Sequence, residues 1–361
     1  MKRVFVILQA LLLVLTFGCT NASDAPHTDV RFVPEDFSQA SLRDYFVETA
    51  DGYYYQNGEF IYFSPRGSHA FYPLCGKPNC DHSDENCNAW CGSAFGYYDG
   101  SLYAASVNNT SGQAELIKMN PDGSDHTVVM PLQLGQDSPA FQAQFHHGKL
   151  YIYTYANALL PIDAQKDHLI ALDLHDLTQT ECFPDFFDAG GRFSFIDFFE
   201  DKLYVYAQKD RKPDSAIGMM EFDVASGTYR ELVPLELGIV YATETTFYYL
   251  EPGVGFREYD LAAGEIKDCG LPVEDAWWAA YDEDYIYLMG HGRKNEAEHT
   301  LYFLSRDYVL LDQIELTDGI YYNYAASDRL YFSTDFDALT HYINKSDIGS
   351  HELALKPLDG N

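Results

Sequence analysis

A short pattern recurs along this chain and limits the folds that it can adopt. An aliphatic or aromatic residue is followed directly by Tyr inside an alternating apolar segment, and the Tyr residues of successive copies lie 39 to 53 positions apart. Four-stranded propeller blades repeat with about this period, so the pattern predicts a β-propeller. The seven copies are Tyr53-Tyr54, Leu102-Tyr103, Leu150-Tyr151, Leu203-Tyr204, Phe247-Tyr248, Ile286-Tyr287 and Leu330-Tyr331.

Turns and further strands surround each copy. Asp99-Gly100 and Glu200-Asp201 are examples of the tight turns that precede the pattern, and such turns join neighbouring antiparallel strands. Third and fourth alternating segments follow in most copies, and the 29 Tyr and 24 Phe residues favour strands over helices. The sequence therefore predicts an all-β chain with a single propeller of seven four-stranded blades, with six or eight blades as alternatives.

The last copy lies close to the end of the chain. We expect its third strand at residues 352–356, which leaves too few residues for a fourth strand before Asn361. An unpaired strand edge invites pairing with other chains. We therefore expect the alternating N-terminal segment 29–33 to supply the missing strand and to close the ring.

The predicted connections differ in length between the two faces of the ring. Turns between the first and second strands, and between the third and fourth, are short. Connections between the second and third strands share a face with the connections between blades, and we call this the loop-rich face. Because binding residues concentrate on loops held by a rigid scaffold, it is the predicted binding surface. Its long second-to-third connections are expected at 107–113, 156–167, 208–217, 290–298 and 333–349.

The N-terminus predicts export and anchoring to a membrane. Lys2 and Arg3 precede an apolar run of about 14 residues, which is too short for a membrane span of about 20 residues and is typical of a signal peptide. We expect a signal peptide at 1–18, a lipidated Cys19 with a polar tether at 19–28, and the propeller domain at 29–361. The expected location is the outer face of the cytoplasmic membrane. A signal peptide that merely contains a Cys is the alternative.

The charge of the chain limits its partners. The formal net charge is −32 at pH 7. Such an acidic protein repels nucleic acid, so we expect no nucleic-acid partner, and we expect a monomer. Basic loops at 209–212 and 291–294 interrupt the acidic surface. They are candidates to bind a carboxylate-bearing glycan, with ordinary solvated loops as the alternative.

The densest group of reactive side chains lies between the first two copies of the pattern. Cys75, Cys80, His82, Cys87 and Cys91 follow the spacing C-x4-C-x-H-x4-C-x3-C. Three thiols and the imidazole could form a Cys3His zinc site, whereas the four Cys residues could instead form two disulfides after export. Both interpretations are structural, because four protein ligands leave zinc no open position for catalysis.

The same run carries a resemblance to a known group of proteins. Residues 73–82, Pro-Leu-Cys-Gly-Lys-Pro-Asn-Cys-Asp-His, and Cys87-Asn88-Ala89 resemble β-propeller lipoproteins of Gram-positive gut bacteria. The repeats are similar to the YWTD-type propellers of the low-density-lipoprotein receptor, and residues 329–335 are nearest to that signature. The resemblance implies a lipid-anchored propeller at the cell surface. It implies no particular activity.

Several other residues are candidates for ligand binding. Aromatic side chains could form a platform on which sugars stack, or they could fill the space between blades. Cys182 and Cys269 are expected to be buried free thiols. The ligand-binding candidates are Trp90, Arg192, Trp277, Trp278, Tyr321 and Tyr322.

These observations favour a binding protein over an enzyme. The sequence contains no G-x-S-x-G elbow, no H-E-x-x-H pair and no phosphate-binding loop, and we name no catalytic residue. We expect an extracytoplasmic binding module for a glycan, a cell-wall component or a surface protein. A surface lyase or hydrolase acting on glycans, and the sensing accessory of a membrane system, are the alternatives.

Overall fold

Seven antiparallel sheets of four consecutive strands each make up the protein, and they confirm the predicted all-β, seven-bladed propeller. In every sheet the strands follow one another in chain order, so each blade is an up-and-down meander. The computed structural model describes residues 45–359 except 135–140, 162–163, 200–201, 213–216, 234–237, 243–244, 252–254, 271–272, 274–275, 283, 292–298, 317–318, 335–337 and 351.

The first four blades account for the first half of the chain, in the order β1–β4, β5–β8, β9–β12 and β13–β16. Their strands are β1 Phe46–Glu48, β2 Gly52–Asn57, β3 Phe60–Pro65, β4 Tyr72–Pro73, β5 Ala94–Tyr98, β6 Ser101–Val107, β7 Ala114–Met119, β8 Thr127–Pro131, β9 Phe141–His146, β10 Lys149–Thr154, β11 His168–Asp173, β12 Gln179–Cys182, β13 Arg192–Phe199, β14 Lys202–Gln208, β15 Ile217–Asp223 and β16 Thr228–Val233.

The last three blades follow as β17–β20, β21–β24 and β25–β28. Two short helices are also present, α1 at Pro184–Asp188 and a 3-10 helix at Lys345–Asp347. The strands are β17 Gly238–Ala242, β18 Thr246–Glu251, β19 Gly255–Asp260, β20 Ile266–Gly270, β21 Ala276–Tyr281, β22 Tyr285–His291, β23 His299–Ser305, β24 Leu310–Leu316, β25 Ile320–Ala325, β26 Arg329–Thr334, β27 Leu339–Asn344 and β28 Lys356–Pro357.

The recurring pair of an apolar residue and Tyr lies on the second strand of every blade. In β14, for example, Leu203 and Tyr204 are 0% and 1% exposed. Successive side chains of a strand point to opposite faces of the sheet, and neighbouring blades cover both faces. Both members of each pair are therefore buried, which is why the pattern repeats in every blade.

The first strands of adjacent blades pack closely around the centre of the ring. β5 contacts β9, and β17 contacts β21. Gly96 in β5 faces the ring of Phe145 in β9, and a Cβ atom on Gly96 would lie 2.3 Å from that ring. The absence of a side chain at Gly96 therefore allows the inner strands of the second and third blades to approach each other.

The last blade corrects two of the expectations. Its third strand is β27, which lies inside the segment 333–349 that was expected to be a loop, and its fourth strand is β28. Residues 352–356 alternate like a strand, but Leu353 and Leu355 pack against the core of the last two blades without forming a ladder before Lys356. β28 is the fourth strand of this sheet, and segment 29–33 lies outside the described residues, so closure of the ring by that segment is not confirmed.

Side chains join the first blade to the last. Glu48, at the end of β1, accepts a hydrogen bond from the Ser327 backbone N–H (2.8 Å) and pairs with Arg66 (2.7 Å). The hydroxyl of Tyr53 donates to Asp328 Oδ1 at 2.7 Å. These contacts connect turns at the same end of the two blades, and we call them the closing contacts.

The predicted export segment lies outside the described residues. The signal peptide at 1–18, lipidation of Cys19 and the tether at 19–28 therefore stay predictions. Among the residues that the structure describes, no helix has both the length and the apolar content that crossing a bilayer requires.

Candidate functional site

The connection between the first two blades, residues 74–93, carries the Cys/His group. Backbone hydrogen bonds attach both of its ends to the first blade. The N–H of Leu74 donates to the carbonyl of Ile61 (2.9 Å), and the N–H of Cys91 donates to the carbonyl of Glu59 (2.8 Å). The intervening residues form no regular sheet, so other contacts must hold them in place.

The same connection reaches both ends of the second blade. The imidazole Nε2 of His126, in the β7–β8 turn, lies 3.0 Å from the carbonyl of Asn88. The amide of Asn109, in the β6–β7 connection on the loop-rich face, donates to Glu85 at 2.9 Å. The connection therefore extends along the flank of the second blade and is not restricted to the loop-rich face, where it was predicted.

The four residues predicted as zinc ligands lie together. The ligand atoms of Cys75, Cys80, His82 and Cys87 are all within 4.8 Å of one another, and His82 Nδ1 lies 3.2 Å from Cys87 Sγ. Zinc binds Cys sulfur at about 2.3 Å and His nitrogen at about 2.0 Å in tetrahedral sites, and ligands this close fit such a site after small adjustments. The group could hold a metal ion such as zinc.

The electrostatic surroundings of these thiols differ. Burial raises the pKa of Cys75, but hydrogen bonds from the backbone N–H groups of Lys77 and Asn88 outweigh burial, and the net effect lowers the pKa. Burial also raises the pKa of Cys87, to about 12. Metal binding requires thiolates, and a bound cation would favour the ionised form of both residues.

The fifth member of the motif is separate from this group. Cys91 is fully buried, and its thiol lies 3.4 Å from the carbonyl of Glu59. None of the six cysteines within the described part of the chain forms a disulfide. Cys182 is a buried free thiol, as predicted, whereas Cys269 is a half-buried one.

Three of the aromatic candidates contribute mainly to packing. Trp90 is 7% exposed and belongs to the core of the first two blades, where its backbone forms an isolated bridge with Phe60. Trp278 and Tyr322 lie against each other, with ring centroids 5.2 Å apart. Trp90 is thus buried, and Trp278 and Tyr322 are half-buried.

The remaining two aromatic candidates form a group with a residue that sequence reasoning missed, in which Trp277 is exposed while Tyr321 and His299 are half-buried. Trp277 is 43% exposed, and His299 lies between it and Tyr321, with ring centroids at 5.6 and 5.8 Å. Trp277 and Tyr321 are near the beginnings of the inner strands β21 and β25, which start at the loop-rich face. We call these three residues the aromatic ledge.

Arg192 lies at a cavity of about 230 Å³ between the third and fourth blades. The cavity opens at the loop-rich face, because the β10–β11 and β14–β15 connections contribute to its lining. Sequence reasoning missed most of these residues, although Arg211 belongs to a basic loop that it singled out. The polar lining consists of Tyr153, Tyr155, Asp167, Arg192, Gln208 and Arg211.

The acidic group of this cavity is fully engaged. Asp167, whose side chain is 5% exposed, accepts hydrogen bonds from the Tyr153 hydroxyl, from Arg211 Nη2 and from the Ala156 N–H (2.8 Å). Burial and the adjacent carboxylate raise the pKa of Tyr153, so its hydroxyl stays a donor. Asp167 is therefore a buried carboxylate neutralised by Arg211.

Arg192 has a different environment. Its Nε donates to Gln208 Oε1, and its side chain is exposed at the cavity. Neither of its terminal nitrogens has a protein partner among the residues that the structure describes. The Nε of Arg211 likewise has no partner within the described ranges.

Comparisons with known proteins identify the fold. No protein-family model matches the sequence, and no curated protein does. One similar structure comes from a structural and mechanistic study of two prolyl endopeptidases, with a TM-score of 0.55, 13% identity, and coverage of 98% of this chain and 54% of that chain. Another is the GH74 xyloglucanase of Xanthomonas campestris, with a TM-score of 0.50, 12% identity, and coverage of 89% and 54%.

These likenesses concern the propeller alone, because the identities are low. The chain spans about half the length of each of the two solved structures. Because no family model and no curated protein matches, the resemblance to lipoproteins of Gram-positive bacteria and to YWTD-type propellers stays a prediction.

Proposed function

We propose that the protein is a lipid-anchored, extracytoplasmic binding module that holds a glycan on its loop-rich face. The observation that carries this proposal is the aromatic ledge. A tryptophan with nearly half of its surface exposed, next to His299 and Tyr321, is unlike the buried Trp90 in the core. Flat aromatic rings pack against the C–H faces of sugar rings, and the indole N–H offers a hydrogen-bond donor.

A matched pair of variants tests the role of the ledge. Trp277→Ala removes the exposed indole, whereas Tyr72→Ala removes a ring that is more exposed still, 62% accessible, from the outer strand β4. On arrays of glycans and cell-wall fragments we expect Trp277→Ala to weaken binding by about tenfold or more and Tyr72→Ala to leave it unchanged. Equal binding by both variants, or no saturable binding by the wild-type protein, would contradict the proposal.

A glycan-active enzyme is the alternative function. Glycoside hydrolases generally use two carboxylic acids across the bond that is cleaved. Among the described residues that line the cavity, Asp167 is the only carboxylate, and Arg211 and Tyr153 already engage it. This favours binding. Because one similar propeller is a xyloglucanase, xyloglucan is a suitable substrate for the test, and release of reducing ends by the purified protein would support the enzyme instead.

The location of the protein requires a separate test. In this proposal Cys19 receives lipid after the signal peptide is removed. Wild-type protein expressed in a Gram-positive host should incorporate labelled palmitate and sediment with membranes. Cys19→Ser should lose the label and appear in the soluble fraction. Retention of Cys19→Ser in the membrane would point to another mode of attachment.

We also propose that the Cys/His group binds one structural zinc ion. The ion would cross-link a connection that has no sheet of its own, with ligands Cys75, Cys80, His82 and Cys87. Metal analysis should give one zinc per chain, and intact mass without reductant should show free thiols. A mass lower by four hydrogens with no metal would instead support two disulfides that include Cys91.

A further inference from the structure

We propose that the cavity between the third and fourth blades is a binding site for a small carboxylate, with Arg192 as its main contact. This goes beyond the proposed function by naming a ligand class and a second site, and it shares with that function only the loop-rich face. The cavity is formed by residues of two adjacent blades, and it is separate from the aromatic ledge on β21 and β25.

The size of the cavity selects a small ligand. Its volume is about 230 Å³. A water molecule occupies about 30 Å³ in the liquid, and sites for drug-sized ligands hold about 300 to 1,000 Å³. The cavity can therefore accept a molecule the size of one sugar acid, either free or at the end of a longer chain.

The charge of the lining selects an anion. Among the residues that the structure describes, Asp167, Arg192 and Arg211 are the charged ones that line the cavity, and Asp167 and Arg211 neutralise each other in an ion pair. Arg192 is hydrogen bonded to a neutral amide, so its positive charge is not compensated by the lining. This local positive charge contrasts with a chain whose formal net charge is −32.

The geometry of the donors suits a carboxylate. Of the three guanidinium nitrogens of Arg192, only Nε is bonded to Gln208, and both terminal nitrogens lack partners among the described residues. A guanidinium binds carboxylate oxygens through two parallel hydrogen bonds, which makes such pairs strong and directional. Lys209 and Lys212, in the adjoining loop, are occupied by Glu231 and Asp210 and do not line the cavity.

Calorimetry with D-glucuronate, L-glutamate and D-glucose tests the proposal on the purified protein. Glucuronate and glucose have similar sizes but differ in the carboxylate, and glutamate tests whether any small carboxylate suffices. We expect saturable glucuronate binding that weakens with added salt and no detectable glucose binding. Equal binding of glucuronate and glucose, or no binding of either carboxylate, would overturn the proposal. Binding of glutamate but not of glucuronate would support a carboxylate site at Arg192, with an amino acid instead of a sugar acid as its ligand.

Variants identify the contact. Arg192→Gln should weaken glucuronate binding by about tenfold or more, and Arg192→Lys should weaken it less, because a lysine keeps the charge but loses the paired hydrogen bonds. Lys212→Gln is the control, because it removes an exposed cation outside the cavity. Wild-type affinity in Arg192→Gln would refute the assignment. Trp277→Ala should leave glucuronate binding intact, so failure of the aromatic ledge and failure of this site are distinguishable.

Discussion

At the residue scale, two buried carboxylates of this propeller, Asp167 and Asp282, are balanced by cations from the next blade. Asp282, in the turn after β21, is 3% exposed and lies 2.6 Å from Lys345 Nζ, which comes from the next blade. Its carboxylate also accepts a hydrogen bond from the hydroxyl of Tyr287, a member of the recurring pair on β22. The Tyr of the recurring pair thus contributes a hydroxyl group as well as an apolar ring, and on β22 this hydroxyl donates to a carboxylate in the preceding turn.

The Asp282–Lys345 pair supports a prediction about stability. Lys345→Met leaves a buried carboxylate without its cation, and we expect the free energy of unfolding to fall by about 3 to 5 kcal/mol. Adding Asp282→Asn to Lys345→Met should recover part of that loss, because the uncompensated charge is removed. Denaturant unfolding measures both variants. A double variant less stable than Lys345→Met alone would argue against a charge-based cost.

At the scale of elements, the connection 74–93 and the β7–β8 turn depend on each other. Gly123 in that turn has φ of 77°, a left-handed conformation that favours glycine. A Cβ atom on Gly123 would lie 2.3 Å from the carbonyl oxygen of Leu74. The Cys/His connection therefore packs against a turn that has no room for a side chain.

A comparison of two glycines measures this packing. Gly227, in the β15–β16 turn, has a similar φ of 68°, but a Cβ atom there would have no neighbour within 4 Å. Gly227→Ala should lower the free energy of unfolding by about 1 kcal/mol, which is the cost of the strained backbone alone. Gly123→Ala should lower it by about 1 to 3 kcal/mol more, because the new Cβ atom displaces the backbone at Leu74. Thermal unfolding compares the stability of the two variants. Equal losses of stability would show that the connection 74–93 can move away from the turn without destabilising the protein.

In the last blade, sequence periodicity predicted the wrong segment as the third strand. Residues 352–356 alternate as a strand would, whereas β27 begins with Leu339-Thr340-His341, in which polar residues interrupt the apolar ones. Strand pairing, and not local alternation, decided which segment forms the ladder with β26. Short segments at the end of a repeat carry too few residues for their period to identify them.

At the scale of the whole molecule, the closing contacts join the ends of the ring. Burial raises the pKa of Asp328, but hydrogen bonds from Arg329 and Tyr53 outweigh burial and hold the pKa below the ordinary value of 3.8. A carboxylate with a lowered folded-state pKa stabilises the fold fully above the unfolded value. Its contribution is lost as the pH falls through the folded-state pKa.

This gives a prediction for acid stability. Asp328→Asn should lower the melting temperature of the protein at pH 7, because Tyr53 and Arg329 lose a charged acceptor. The difference from wild type should begin to shrink as the pH falls below about 3.8, the ordinary value that applies to the unfolded chain, and should be lost below the lower pKa of the folded carboxyl. Glu265→Gln is a suitable control, since Glu265 is exposed in the β19–β20 turn away from the closing contacts. A difference independent of pH would contradict the prediction.

The sequence by itself determined the seven-bladed propeller, the buried second strands and the group of three cysteines and one histidine that lie together, because these depend on local period and spacing. The tertiary structure decided what depends on distant segments meeting. It joined Glu48 to Ser327, brought Arg192 beside a cavity shared by two blades, and separated Cys91 from the other thiols. No local pattern encodes such encounters, since residues far apart in the chain become neighbours only when the ring has formed.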